Sequence, residues 1–184
     1  MPGAGNLCSG NAWSGMSFWG GAVTGNVAQG NYLGTDASRT VALPNGTGLS
    51  FGIGANNNTA GGTSASARNL LSGNNSYAVR ITGAGTNQNV VQGNYIGTQA
   101  NGNVAQRVAN VGYGVRIESG AQSNTIGGTV ADARNVISGN TLEGVSICNT
   151  GTTGNTVCGN CIGLNATGQP LPRRSRYRSL PILR

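Results

Sequence analysis

Few side chains in this sequence are suited to acid–base chemistry. The chain of 184 residues carries four carboxylates, Asp36, Glu118, Asp132 and Glu143, together with 11 arginines and no histidine. Without histidine, the chain cannot build a Ser-His-Asp or Cys-His site, and most catalytic zinc sites are excluded as well. Two kinds of catalytic site remain possible. One is a pair of carboxyl groups roughly 5–10 Å apart, as in glycosidases, and the other is a carboxylate cluster beside a base, as in calcium-assisted lyases.

The strongest catalytic hypothesis combines Glu118, Glu143 and Arg116. Glu118 lies in one repeat unit and Glu143 begins the next, so we expect these carboxylates to be neighbours on one face. Arg116, like Arg80, occupies the polar position of an alternating segment and should point outward. The competing interpretation is scattered, solvated charge. No aspartate cluster suggests a calcium site, and we predict no cofactor.

Cysteine offers a second kind of chemistry. Cys158-Gly-Asn-Cys161 is a C-x-x-C motif, which is typical of redox centres or of half a metal site. No second motif and no histidine completes a zinc set, so we predict no metal site. A disulfide or metal role for this pair and an incidental substitution remain alternatives. Cys8 aligns with Leu71 and Ile137 and is predicted to be a buried thiol.

A sequence repeat must position these residues. The phrase NTVCGNCIGL at Asn155–Leu164 repeats NVVQGNYIGT at Asn89–Thr98 and NVAQGNYLGT at Asn26–Thr35, at offsets of 66 and 63 residues. A second phrase, ARNVISGN at Ala133–Asn140, repeats ARNLLSGN at Ala67–Asn74. A fixed repeat period indicates an architecture of stacked units.

Each unit contains short apolar-polar-apolar segments that favour half-buried strands. These segments are Gly15-Met-Ser-Phe18, Ala78-Val-Arg-Ile81, Gly114-Val-Arg-Ile117 and Gly144-Val-Ser-Ile147. We divide each unit into three turns of about 21 residues, with two turns of about 33 as the alternative.

Stacked coils would align equivalent side chains in columns. The inner columns are predicted to contain Val91, Ile96, Ile126, Ile137, Val145 and Ile147. Asparagine tolerates left-handed backbone and bonds neighbouring backbone, so it suits corners. The predicted corner residues are Asn11, Asn31, Asn74, Asn94, Asn140 and Asn160. Residues 36–48 and 99–111 are predicted loops that project from one corner and line up along one side.

The phrases NVVQGNYIGT, ARNVISGN, NTIGGT and GVRI resemble the repeats of right-handed parallel β-helix proteins of bacterial extracellular and cell-surface type, within the pectin-lyase-like group. The resemblance covers residues 5 to about 169. It implies an all-β, right-handed parallel β-helix, for which we predict about seven or eight short coils. It also implies a secreted or cell-surface location. It does not specify function, because the group includes lyases, hydrolases, tailspikes, adhesins and passive stalks.

Tyr32 and Tyr95 occupy one repeat position and are predicted on the outer surface, up to three coils apart. Aromatic faces on such a flank can stack on sugar rings, so both are candidate carbohydrate-binding residues. Packing of the two rings against corner loops is the alternative.

The ends of the chain differ from its middle. We predict a β-helix domain over residues 1–169 and a basic Pro/Arg tail over 170–184, either disordered or frame-shifted. Five of the 11 arginines lie in the last twelve residues, so the rest of the chain carries only +2 of the net charge of +7. We therefore predict no nucleic-acid partner. There is no apolar run long enough for a membrane span. No signal peptide is evident, so we expect a piece of a longer parent protein.

The sequence predicts a non-catalytic structural or adhesive module that contacts a polysaccharide or a cell-surface glycan. The alternative is a carbohydrate-active enzyme, either a lyase or a glycoside hydrolase. Clustered carboxylates in a groove would favour the enzyme, and a flank of Asn, Thr and Tyr would favour the module.

Overall fold

The computed structural model describes residues 5–103 and 108–170. Its regular structure in these residues is sixteen short strands and two 3₁₀ helices, Ala65–Ala67 and Ala131–Ala133. The strands are β1 (Leu7–Cys8), β2 (Ser14–Trp19), β3 (Val27–Ala28), β4 (Tyr32–Leu33), β5 (Thr47–Gly52), β6 (Thr59–Gly61), β7 (Leu70–Leu71), β8 (Tyr77–Thr82), β9 (Val90–Gln92), β10 (Tyr95–Ile96), β11 (Tyr113–Glu118), β12 (Thr125–Gly127), β13 (Val136–Ile137), β14 (Val145–Ile147), β15 (Thr156–Cys158) and β16 (Cys161–Ile162).

Every third strand belongs to the same sheet. The first sheet has the order β1-β4-β7-β10-β13-β16, the second β2-β5-β8-β11-β14, and the third β3-β6-β9-β12-β15. All pairings within these sheets are parallel, so the chain adds one strand to each sheet in every coil. The predicted parallel β-helix is confirmed. None of the described helices has the length and apolarity needed to cross a bilayer.

The coils are fewer and less uniform than predicted. The described residues form five complete coils and the first strand of a sixth, so the expected seven or eight coils and the division into three turns are wrong. In the first sheet, Leu7 pairs with Tyr32 25 residues later, and Tyr32 pairs with Leu70 38 residues later. Each repeat unit is therefore one short coil and one long coil.

Two insertions account for the additional residues of the long coils. One is the corner loop between the first and second sheets, over residues 34–46 and again in the described residues 97–103 and 108–112, and the other carries the 3₁₀ helix. The predicted corner loop 36–48 is confirmed, although strand β5 begins inside it, and the predicted loop 99–111 is confirmed except for residues 104–107, which lie outside the described residues. The segment Gly48-Leu-Ser-Phe51 of this strand has the same alternation as the other strands of the second sheet, but it was not among the predicted strands.

Aliphatic columns fill the interior, as predicted. Val91, Ile96, Ile126 and Ile137 are completely buried, and each stacks on an apolar residue in the adjacent coil. Ile147 lies in the last described strand of the second sheet and is 42% exposed. A column residue is therefore covered only where coils lie on both sides of it.

Asparagine ladders run through all three corners. In one, the Nδ2 of Asn58 donates to the Oδ1 of Asn89 at 3.0 Å, and Asn89 donates to Asn124 at 3.0 Å. The ladders consist of Asn6, Asn31, Asn69, Asn94, Asn135 and Asn160; Asn11, Asn45, Asn74, Asn110 and Asn140; and Asn26, Asn58, Asn89, Asn124 and Asn155. Sixteen of the 24 asparagines in the chain belong to these ladders, and most of them also hydrogen-bond corner backbone, as Asn89 does with the carbonyl of Ala55.

Glycine precedes several ladder asparagines for a steric reason. Gly93 has a φ of +68°, and a Cβ on it would lie 1.9 Å from the carbonyl oxygen of Gly62 in the neighbouring coil. Only glycine fits this approach, which accounts for the repeated Gly-Asn dipeptide.

Candidate functional site

The outer face of the second sheet carries an arginine–glutamate cluster. Arg80 of β8 pairs in register with Arg116 of β11, and both side chains point outward, as predicted. One oxygen of Glu118 accepts from Arg80, with the closest nitrogen at 2.6 Å, and the other accepts from Arg116 Nε at 2.6 Å. Glu118 itself is only 5% exposed. Both of its oxygens are therefore committed to guanidinium groups.

The two arginines keep Glu118 ionised. Burial by itself raises the pKa of this carboxyl, but the hydrogen bonds and positive charges of Arg80 and Arg116 outweigh it and hold the pKa below its ordinary value. Glu118 acts reciprocally on Arg116, whose pKa is raised despite its burial. A general acid requires a raised pKa, so this environment does not suit proton donation.

Strand register separates Glu143 from this cluster. Val115 pairs with Val145, so Glu143 lies beside Tyr113, at the opposite end of β11 from Glu118. Five residues of strand correspond to about 16 Å, beyond the separation that glycosidases use. The structure thus brings Arg116 and Glu118 together and leaves Glu143 apart and exposed.

The two remaining carboxylates also lie elsewhere. Asp36 is in the first corner loop, where it accepts from the hydroxyl of Ser38 and the backbone N–H of Thr40 and Val41. The Ser38 hydrogen bond, followed by that of Val41, lowers the pKa of Asp36. Asp132 belongs to the second 3₁₀ helix. The four carboxylates do not form a group.

Tyr32 and Tyr95 lie on the outer face of the first sheet, two coils apart, with Leu70 between them in register. Arg39 covers the Tyr32 ring, with its Cζ 4.0 Å from the ring centroid, and Arg68 covers Tyr95 at 4.2 Å. These cation–π contacts occupy a face of each ring. Contacts from this surface to a ligand would therefore come from guanidinium and phenol groups more than from the tyrosine faces.

A shallow cleft connects these side chains. Tyr32, Arg39, Arg68 and Tyr95 line a space of about 120 Å³, and a second space of about 200 Å³ continues from Arg39 between the two corner loops. The Nε of Arg39 is buried without a hydrogen-bond partner among the described residues. We call these two spaces the Tyr–Arg cleft. No carboxylate lines it, so it presents positive charge and hydrogen-bond donors.

Arg39 and Arg68 were not among the predicted site residues. Arg68 belongs to the repeated phrase ARN, whose second copy holds Arg134 in the same way: each Nε donates to a glycine carbonyl at 3.1 Å. The repetition of ARN is the sequence signal from which Arg68 could have been identified. Arg39 lies in a loop and has a φ of +63°, a conformation that its sequence gives no reason to expect.

The four cysteines are unpaired. Cys8 stacks in the inner column of the first sheet, but it is only half-buried because β1 is the edge strand, so its predicted full burial is wrong. This partial burial raises the pKa of its thiol. Cys161 is buried at the position equivalent to Tyr95, and Cys158 pairs in register with Gly127. Across the described residues, no three Cys, Asp or Glu side chains cluster in a way that could hold a metal ion.

Comparisons of the chain with protein-family models, curated proteins and solved structures yield no significant match. Functional argument therefore depends on the geometry of the surface.

Proposed function

We propose that this protein is a non-catalytic structural or adhesive β-helix module that contacts a polysaccharide or a cell-surface glycan, outside or on the surface of a bacterial cell. The observation that carries the proposal is the Tyr–Arg cleft, in which Arg39 and Arg68 stack on Tyr32 and Tyr95 along one side of the coils. Its donors face solvent beside two aligned loops. A long polymer can contact such a side at several coils at once, which compensates for shallow individual sites.

The carboxylates favour binding over cleavage. Glu118 has both oxygens engaged by arginines, and the register places Glu143 at the other end of the strand. A polysaccharide lyase or glycoside hydrolase would need a free carboxylate or base at the bound sugar. The lining of the Tyr–Arg cleft includes no such carboxylate.

Affinity electrophoresis of the full chain in gels containing acidic or neutral polysaccharides tests this proposal. We expect retardation by at least one polysaccharide, and about tenfold weaker binding after Arg68→Ala, because an arginine anchor in a binding surface commonly contributes this much. Arg134→Ala is the matched control, since it removes the same corner hydrogen bond with no tyrosine beneath the guanidinium.

Two results would contradict the proposal. Absence of retardation by every polysaccharide from a folded sample would remove the binding function. Equal losses in the Arg68 and Arg134 variants would mean that only the corner hydrogen bond matters and that the Tyr–Arg cleft is not the contact surface.

A further inference from the structure

The second sheet has its own groove, at the opposite end from β14. Trp13, Ser14 and Trp19 of the first coil line it with Thr47 and Ser50 of the second coil and Arg80 of the third. Its volume is about 320 Å³, within the size range of small-ligand sites. We call it the tryptophan groove.

Its two tryptophans are exposed, whereas every other aromatic side chain in the described residues is at least partly buried. Tyr32 and Tyr95 are covered by arginines, Tyr77 and Tyr113 stack on each other with centroids 5.6 Å apart, and the two phenylalanines contact each other at the core. Trp13 is 87% exposed and Trp19 is 45% exposed. Large apolar rings left open to water at a groove indicate a binding surface.

Trp19 is held in place before any ligand binds. Its Nε1 donates to the Oγ of Ser50 at 3.0 Å, which fixes the direction of the indole ring. Gly52 lies beneath the ring: a Cβ there would come within 3.1–3.3 Å of three indole atoms. Glycine thus lets one face of the indole lie against the sheet while the other stays available, and such preorganisation lowers the entropy lost on binding.

The floor of the groove is made of hydroxyls. Ser50 is hydrogen-bonded to Ser14 and to Ser17 at 3.1 Å each, and Thr47 pairs in register with Ser14. Hydroxyl groups can both donate and accept, so they suit a ligand that itself carries hydroxyls. An apolar wall beside a hydroxyl floor matches the pyranose ring, whose C–H face packs on an indole while its hydroxyls hydrogen-bond.

The charge in the groove is small. Arg80 is the only ionisable side chain that lines it, and Glu118 at 2.6 Å, which also pairs with Arg116, offsets part of its charge. A charged ligand therefore meets less positive charge here than in the Tyr–Arg cleft, where two arginines line the space and no carboxylate does. We propose that the tryptophan groove is a second binding site, specific for neutral sugar rings of a glycan, with Trp13 and Trp19 as the stacking residues. This inference extends the proposed glycan-binding function to another face and another ligand chemistry.

The chain itself supplies the probe, because Trp13 and Trp19 are its only tryptophans. Intrinsic fluorescence of the full chain is titrated with neutral hexasaccharides of glucose, mannose and xylose and with a hexasaccharide of galacturonic acid. We expect a saturable change in emission with at least one neutral sugar. The acidic sugar should bind with an affinity about tenfold lower. Trp13→Ala should weaken neutral-sugar binding about tenfold, measured by calorimetry because the variant loses a fluorophore.

Leu142→Ala is the matched control, since Leu142 is also a large exposed apolar residue, at the other end of the second sheet. It should leave the titration unchanged. If sugars are retained in affinity gels but neither alter the emission nor respond to Trp13→Ala, the groove proposal fails and the Tyr–Arg cleft stands. If no sugar binds in either experiment, both proposals fail. If emission changes with protein concentration alone, the groove contacts a second copy of the chain, and the sugar proposal is overturned.

Discussion

Individual side chains determine whether this surface can catalyse a reaction or only bind. Glu118 is the carboxylate best placed on an outer sheet face, and Arg80 and Arg116 occupy both of its oxygens. The outward direction of the arginines could be predicted from the alternation in GVRI. The same alternation places Arg116 and Glu118, two residues apart, on one face of the strand. The pairing of Glu118 with Arg80 was not predicted, because these residues are 38 positions apart and belong to different coils.

Glu118→Gln should destabilise the fold by about 1–3 kcal/mol. The amide keeps the size of the side chain, but its NH₂ group faces a guanidinium donor and one charge-assisted bond is lost. Urea unfolding at pH 7 measures the difference. Arg134→Ala, at an exposed arginine far from this cluster, should change stability by less than about 0.5 kcal/mol.

The same substitution predicts a pH dependence. Because the folded pKa of Glu118 is lowered, its contribution is complete above its unfolded pKa of about 4.3 and is lost as the pH falls through the folded value. The difference in unfolding free energy between wild type and Glu118→Gln should therefore be constant from about pH 6 to pH 7, where the carboxyl is ionised in both the folded and the unfolded state. It should shrink below about pH 4, where the carboxyl becomes protonated. A gap that grows on acidification would mean that Glu118 is protonated in the folded protein.

At the scale of elements, corners and columns hold the coils in register. Six of the ladder asparagines were predicted from the ends of the repeated phrases, together with the inner aliphatic columns. Most of the remaining ladder positions, such as Asn69 and Asn89, lie inside the repeated phrases but were not recognised as corner residues, whereas Asn58 and Asn110 lie outside the phrases. The alternation of short and long coils was missed because the insertions fall between the phrases: one lies between the first and second sheets, and the other between the third and first sheets.

An asparagine in the interior of a ladder should contribute far more to the free energy of unfolding than one at its end. Asn89→Ala removes bonds to Ala55, Asn58 and Asn124 and leaves buried donors and acceptors unpaired, so we expect a loss of about 2–4 kcal/mol. Asn26→Ala, at the exposed first position of the same ladder, should cost less than about 1 kcal/mol. Thermal unfolding by circular dichroism distinguishes the two, and equal losses would contradict the ladder account.

The inner columns predict a similar contrast. Ile117 is completely buried between Ile81 and Ile147, so Ile117→Ala should cost about 2–5 kcal/mol through lost burial and a cavity. Ile147→Ala removes the same atoms from a residue that is 42% exposed and should cost about half as much or less. Chemical denaturation of both variants provides the comparison.

For the whole molecule, stacking makes each coil dependent on its neighbours. Stability in such a solenoid is approximately a sum of coil and interface contributions, so coils with neighbours on both sides should be the best protected. The repeat and its resemblance made this architecture predictable from sequence. The two proposed binding surfaces were less predictable, because each one combines residues from separate coils, as Trp19, Ser50 and Arg80 do.

Native-state hydrogen exchange tests this view of the stack. We expect the slowest amide exchange in β7, β8, β9 and β10, which lie in the middle of the three sheets, and faster exchange in β1, β2 and β14 at the edges. Uniform protection from β1 to β16 would instead mean that the coils open together as one cooperative unit.

The measurement that most directly tests binding without cleavage is size-exclusion chromatography of fluorescently labelled polysaccharides, before and after incubation with the full chain. Our account predicts that at least one polymer co-elutes with the protein and that its length is unchanged once the protein has been removed. Shortened polymer, formed by the wild type and not by folded Glu118→Gln, would contradict the account and identify the protein as a carbohydrate-active enzyme.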